Sequence, residues 1–261
     1  MPKTGPASYP LGPCRSPVRL RGAALRGGRA RGTVRLGWGA ALDRSGDGAI
    51  LAVPDLKEDR DRRGSRGVVG VIVEEALSQR PSSLPADLPI VAGVDRDLLR
   101  DGEVVEVDGD AGTVELTAVE EVRVVTSFLE RPDGRVLLLR RSGSVGSFQG
   151  RWAGVSGFLE DPRPIDQAHR EIEEETGVPR SALTLAAEGA PVYARDGHRI
   201  YTVHPFRFRV GLVDVRIDWE HTEFDWVDPE EIGRRATVPK LDRVWAAVAP
   251  PAPPRAGGKK R

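Results

Sequence analysis

Residues 164–177, Pro-Ile-Asp-Gln-Ala-His-Arg-Glu-Ile-Glu-Glu-Glu-Thr-Gly, constrain this chain more than any other stretch. Pro164 suits the first position of a helix, whose N–H has no intrahelical partner anyway, and Gly177 suits its end. Ile165, Ala168 and Ile172 recur at i, i+3 and i+7, which is a buried stripe. At about 100° per residue, Glu171, Glu174 and Glu175 fall together on a neighbouring face, and Glu173 points elsewhere. Such crowding is unfavourable. Like charges at these spacings repel by about 0.2–0.5 kcal/mol per pair. The acids also sit in the last turns, where the helix dipole disfavours them by about 0.3–1 kcal/mol. Either this is a solvated acidic face, or a hard divalent cation resolves the conflict; carboxylate oxygens suit Mg²⁺ or Mn²⁺.

The chain has 261 residues, 39% hydrophobic and 30% charged. That fits a folded globular protein with one large domain or two modest ones. No apolar run reaches the roughly 18 residues of a membrane-spanning helix, so no membrane partner is expected. A single cysteine, Cys14, excludes a disulfide framework and a cysteine-ligated zinc site. His198, His204 and His221 have no metal-ligand spacing, and His169, beside the buried stripe, reads as structural. Residues 1–42 carry eight Lys or Arg and no acid, leaving 31 basic against 39 acidic residues after them. An acidic body suits a metal-dependent enzyme better than a nucleic-acid binder, and nucleic acid is not an expected partner. Residues 1–31 read as a disordered basic leader without the apolar stretch of a secretory signal, so a cytoplasmic location is expected.

Two folded regions follow from the turn and strand signals. The first runs from about Gly32 to residue 118. It contains the apolar strands 67–74 and 89–94, and a hairpin whose turn is Asp108-Gly109-Asp110-Ala111. Pro81-Ser-Ser-Leu-Pro85 breaks any long helix between those two strands. The second runs over 121–248. Strands are expected at 122–129, 135–140, 191–203, 205–213 and 224–227, with a Gly/Ser loop at 142–150 and a helix at 164–176. Two further helices are expected, one at 229–234 capped by Asp228 and one at 239–248. Residues 249–261 read as a disordered tail.

The run Arg170-Glu171-Ile172-Glu173-Glu174-Glu175-Thr176-Gly177-Val178 resembles the C-terminal half of the Nudix box. That signature is Gly, five residues, Glu, seven residues, then Arg-Glu-apolar-any-Glu-Glu-any-Gly-apolar. Every specified position of that half matches. The strand Arg135–Arg141, the loop ending Gly150-Arg151-Trp152, Gly154-Val-Ser-Gly157 and the stretch Glu220-His221-Thr-Glu223-Phe-Asp-Trp226 also resemble Nudix domains. The chain departs from the pattern where the box has its first Gly and its loop Glu. Ser156 and Pro162 stand there, Gly157 follows, and the loop acid is lost or displaced to Glu160 or Asp161.

The resemblance implies an α/β/α sandwich with a mixed sheet over 121–248, and hydrolysis of a nucleoside diphosphate derivative by attack of water on phosphorus. It implies Glu171, Glu174 and Glu175 as ligands of Mg²⁺ or Mn²⁺, with Glu174, Glu175 or Glu223 orienting or deprotonating the water. It further implies Arg140 or Arg141 as phosphate binders, Trp152 as a base-stacking or packing residue, and Arg170, Gly157 and Gly177 as supports. A small nucleotide-type substrate is the implied partner, with a homodimer left open. The alternative is a Nudix fold that binds a ligand as a regulator, with weak turnover or none. Residues 67–116 loosely resemble the swivelling phosphohistidine domain of phosphoenolpyruvate-utilising enzymes, and equally the small swivel subunit of aconitase-like dehydratases. Ser78 is followed there by Gln79, and no histidine precedes His169. That resemblance therefore implies a β-rich α/β module for binding or oligomerisation, without carrier chemistry.

Overall fold

The computed structural model describes residues 17–37, 48–56, 67–77 and 87–251. The chain divides into two compact units. One takes the described residues up to Val122 and adds Tyr193–Tyr201; the other takes Arg123–Val192 and the described residues from Thr202 onward. Cys14, Ser78, Gln79, Pro81–Pro85 and the tail beyond residue 251 lie outside the described residues.

In the first unit the strands are β1 (Val18–Arg21), β2 (Ala23–Arg26), β3 (Arg29–Leu36), β4 (Ala49–Val53), β5 (Val68–Val73), β6 (Ile90–Ala92), β7 (Val104–Asp108) and β8 (Thr113–Leu116). Their order is β1-β8-β7-β3-β4-β5-β6-β2. Strands β3 to β6 pair in parallel, and the flanking pairs are antiparallel. The outermost strands, β1 and β2, are separated in sequence by Gly22 alone. Its N–H donates to Gly112 O at 2.8 Å, next to β8. A Cβ on it would lie 2.3 Å from Ala92 O in β6. The two ends of the strand order therefore come together at one residue without a side chain. Ile50, Ala52 and Ile72 join one apolar cluster, while Leu51, Val53 and Val71 join another. These central strands are buried on both faces, as continuous apolar runs predict.

The disordered leader expected through residue 31 is corrected by this arrangement. Val18 and Leu20 are buried, and Arg19 and Arg21 alternate with them as the exposed side of β1. Arg19 pairs with Glu115 at 2.7 Å and Arg29 with Asp108 at 2.8 Å. Arg19 and Arg29 are thus on the solvent side of their strands, tied to acids across the ladder. The folded region accordingly begins by Val18, not near Gly32. Among the described residues of 32–118 the only helical element is a short 3-10 turn at Arg96–Leu98.

The second unit takes in β9 (Glu120–Glu130), β10 (Val136–Arg141), β11 (Trp152–Ala153), β12 (Val155–Phe158), α1 (Pro164–Thr176), β13 (Thr184–Glu188), β14 (Val192–Asp196), β15 (Arg199–Arg209), β16 (His221–Val227) and α2 (Leu241–Ala246), although Glu120–Val122 of β9 and Tyr193–Tyr201 of β14 and β15 group with the first unit. Its sheet runs β11-β10-β9-β15-β13, with β12 beside β9 and β16 beside β10. Ala168 and Ile172 of α1 pack on Leu137, Leu139, Phe206 and Trp226 from one face. On the other face Phe128 meets Trp245 of α2 edge-on, 5.2 Å between ring centres. The result is the expected α/β/α sandwich with a mixed sheet.

Three local expectations change. Residues 191–213 are not two strands parted at Pro205. They form a hairpin, β14 and β15, turning at Gly197 (φ 57°). Pro205 stays inside β15 because its carbonyl still accepts from Gly189 N–H at 3.1 Å, and only its missing donor goes unpaired. Residues Pro229–Arg234 form a 3-10 turn with no side-chain cap from Asp228. Helix α2 starts only after Lys240, held in a left-handed conformation (φ 61°).

Candidate active site on the acidic helix

Helix α1 spans Pro164–Thr176 and ends at Gly177 (φ 69°), whose N–H donates to Glu173 O at 3.0 Å. No basic residue lies in its last turn to offset the dipole. The last-turn Thr176 is buried and its hydroxyl donates back to Ile172 O at 2.5 Å.

Glu175 is the unusual member of the acidic set. It is 3% exposed. One of its oxygens accepts the Ser156 N–H of β12 at 3.3 Å. Burial pushes its carboxyl well above the ordinary carboxylate range, and the charges of Glu171, Glu220 and Asp218 push it further; the Ser156 N–H opposes them. His221 approaches the same carboxylate, with Nε2 3.8 Å from its Oε2. The other ring nitrogen of His221 lies 3.1 Å from Asp218 Oδ1, which fixes the ring's orientation. A turn 218–221 from beyond β15 thus closes over the helix acids.

Glu171 is half-buried. Gln167 Nε2 donates to its Oε1 at 2.5 Å. The carboxylate lies across Gly157: a Cβ there would sit 2.0 Å from the Glu171 carboxyl carbon. Gln167 is itself 1% exposed. Its Oε1 accepts the N–H groups of Glu160 at 3.0 Å and Asp161 at 3.1 Å. Arg170 pairs with Asp161, and with Glu160 at 3.3 Å. The displaced loop acids therefore face the box arginine. Glu174 is exposed.

The remaining sequence candidates are elsewhere. Leu137, Leu139 and Trp226 face α1. Strand alternation then turns Arg140 and its cross-strand partner Glu223 to the opposite face. Those two form an ion pair with each other. A bulge between Arg140 and Arg141 resets the parity and brings His221 back to the helix side. Arg141 Nε donates to Ser147 O at 2.9 Å and so braces the Gly/Ser loop. Trp152 is half-buried, with the Arg235 guanidinium 5.0 Å above its ring. Sequence reasoning missed Gln167, Asp218 and His221. Gln167 stands four residues before Glu171, a spacing at which helix side chains meet; the other two carry no local signal.

The NUDIX domain profile matches residues 120–248. The nucleoside triphosphatase NudI of Escherichia coli O81 (strain ED1a) is 30% identical over 123 residues, which are 42% of this chain and 84% of that protein. The chain belongs to the Nudix family. A second relative, the octanoyltransferase of Myxococcus xanthus, is 37% identical over 106 residues, covering 37% of this chain and only 27% of that protein's length. Among solved structures, the MutT protein of Methanosarcina mazei Go1 is 25% identical, covers 48% of this chain and 89% of its own, and superposes with a TM-score of 0.42. In this Nudix chain no three acidic, imidazole or thiol groups among the described residues converge closely enough to hold a metal ion as they stand. The donor chemistry nevertheless fits a hard divalent cation. Glu175 is buried, and the carboxylates of Glu171, Glu220 and Asp218 all act on it, an oxygen-rich donor set. No helix among the described residues is long and apolar enough to cross a membrane.

Proposed function

We propose that this Nudix domain hydrolyses the pyrophosphate linkage of a nucleoside diphosphate derivative, with Mg²⁺ or Mn²⁺ held by Glu171, Glu174 and Glu175. The observation that carries the reading is the burial of Glu175 among three other carboxylates at a helix end that already disfavours negative charge. A bound divalent cation would supply charge neutralisation at the phosphate oxygens and polarise the attacking water. The chain's own residues do the rest. Ser156 N–H donates to Glu175, the Asp218-braced His221 stands beside it, and Gly157 leaves room for Glu171. Trp219 and Phe224, 45% and 41% exposed, are rings able to stack on a base, a role less suited to Trp152 beneath Arg235. The E. coli relative's name, a nucleoside triphosphatase, supports a nucleotide-type substrate.

The test is release of phosphate or nucleotide from ADP-ribose, NADH, dinucleoside polyphosphates and nucleoside triphosphates, each with Mg²⁺ or Mn²⁺. At least one is expected to turn over, and Glu174→Gln is expected to slow it about tenfold or more. Silence across the panel, together with no uptake of either cation, would remove the hydrolase reading. Binding without turnover is the second reading, favoured by the absence of the box's loop Glu, where Pro162 stands. Glu223 leaves the candidate bases in this reading. It pairs with Arg140 on the sheet face away from α1, where an exposed ion pair is worth about 0–1 kcal/mol. Glu223→Gln is expected to change kcat by less than about fivefold. A loss of a hundredfold or more would return it to the catalytic set.

A further inference from the structure

We propose that Gln167 is the positioning residue of this site, setting the Glu171 carboxylate by tying it to the loop that lacks the box acid. The proposal rests on the hydrolase reading for its consequence, and on hydrogen bonds for its geometry. Gln167 projects from the second turn of α1 and is 1% exposed. Its amide is used at both ends. The oxygen accepts two consecutive backbone N–H groups, Glu160 at 3.0 Å and Asp161 at 3.1 Å. The nitrogen donates to Glu171 Oε1 at 2.5 Å. With its oxygen occupied by two donors, the amide cannot flip, so the nitrogen must face Glu171. Arg170 completes the clasp from the next turn by pairing with Asp161 and Glu160. Both loop acids are therefore engaged by a cation of the helix, and the loop reaches the carboxylate site through Gln167.

This device belongs to this chain's own sequence. Pro162 offers neither a carboxylate nor a backbone donor at the point where the box has its loop acid. A neutral amide suits the place better than a second acid would. It donates to Glu171, whereas a carboxylate there would repel it. Groups that orient a metal-binding carboxylate typically change metal affinity by 10–100-fold when removed.

The experiment uses the full chain with Gln167→Ala, which favours the helix, and Gln167→Met to keep the volume should the alanine form fail to fold. Two readouts are taken, Mn²⁺ binding by titration and amide hydrogen exchange at Glu160 and Asp161. The variant is expected to bind Mn²⁺ about tenfold more weakly and to exchange both loop amides at least about tenfold faster. KM for any substrate should stay within twofold while kcat falls. A double-mutant cycle with Glu171→Ala separates positioning from general support. If Gln167 acts through Glu171, the double variant binds Mn²⁺ no more weakly than Glu171→Ala alone. Additive losses, or unchanged Mn²⁺ affinity in a folded Gln167 variant, would overturn the proposal. If the unsubstituted chain took up no Mn²⁺ at all, the hydrolase reading would fall instead. Exchange at the two loop amides would still decide whether Gln167 clasps the loop.

Discussion

Glu175→Gln is expected to abolish turnover and, in chelator, to make the second unit harder to unfold. Both effects come from one buried carboxylate. The lost charge should lower kcat by about 10³-fold or more, roughly 4 kcal/mol of transition-state stabilisation. The same change leaves a neutral amide whose oxygen can still accept the Ser156 N–H. It also relieves repulsion from Glu171, Glu220 and Asp218. A gain of about 1–3 kcal/mol in unfolding free energy follows from no longer burying a poorly compensated charge.

The pH dependence has a definite sign. The folded carboxyl of Glu175 titrates well above its ordinary value of 4.5, so between the two the native state holds more protons than the unfolded one. Its contribution to stability is complete below about pH 4.5, falls as pH rises, and is gone above the folded pKa. Urea unfolding in EDTA across that interval should show this decline in the parent and lack it in Glu175→Gln. Saturating Mg²⁺ should flatten or reverse the slope, because a cation favours the ionised form. Parallel stability–pH curves for parent and variant would contradict the account.

Gly157→Ala should slow the enzyme about a hundredfold while the chain still folds. The new methyl group would sit 2.0 Å from the Glu171 carboxyl carbon and 2.6 Å from its Cγ. Those atoms end a flexible side chain, so the carboxylate yields and the backbone of β12 stays. Displaced, Glu171 loses the Gln167 bond and its place beside Glu175. Misplacement of a reacting group by about 1 Å can lower the rate about 10²-fold, and that is the expected fall in kcat. Unfolding free energy should fall by about 1–3 kcal/mol, because the buried Gln167 amide nitrogen loses its acceptor. Turnover at the parental rate would mean that Glu171 works equally well off its glycine.

Much of the helix and its chemistry is legible in the sequence, because the signals there are local. Pro164 and Gly177 set both ends of α1 through backbone preferences, and the acid spacing sets its face. The leader is a different case. Its composition suggested disorder, yet Val18-Arg-Leu-Arg21 alternates with the two-residue period of a half-buried strand, and that period decides. Glu223 could also have been placed by counting: it stands three residues before Trp226, an odd step that puts the two on opposite faces of one strand. His221 could not. Its return to the helix side depends on the bulge at Arg140–Arg141, and its meeting with Glu175 on tertiary closure. The expected break between two strands at Pro205 misled for a simpler reason. Proline ends a strand only where its missing donor was needed.

The hairpin at β14 and β15 bears on how the gene can be dissected. Tyr193–Tyr201 belongs to the first unit, although the rest of that unit precedes Arg123. Ile200 fills its apolar interior. Arg195, 6% exposed at its side chain, pairs with Glu103 at 2.9 Å and donates to Leu98 O at 2.6 Å. A fragment stopped at residue 122 would be missing a wall of its own core and the counter-ion of the half-buried Glu103. These two units are consequently poor modules for cutting and shuffling, and an insertion between residues 196 and 199 would strike the amino-terminal unit from seventy residues downstream.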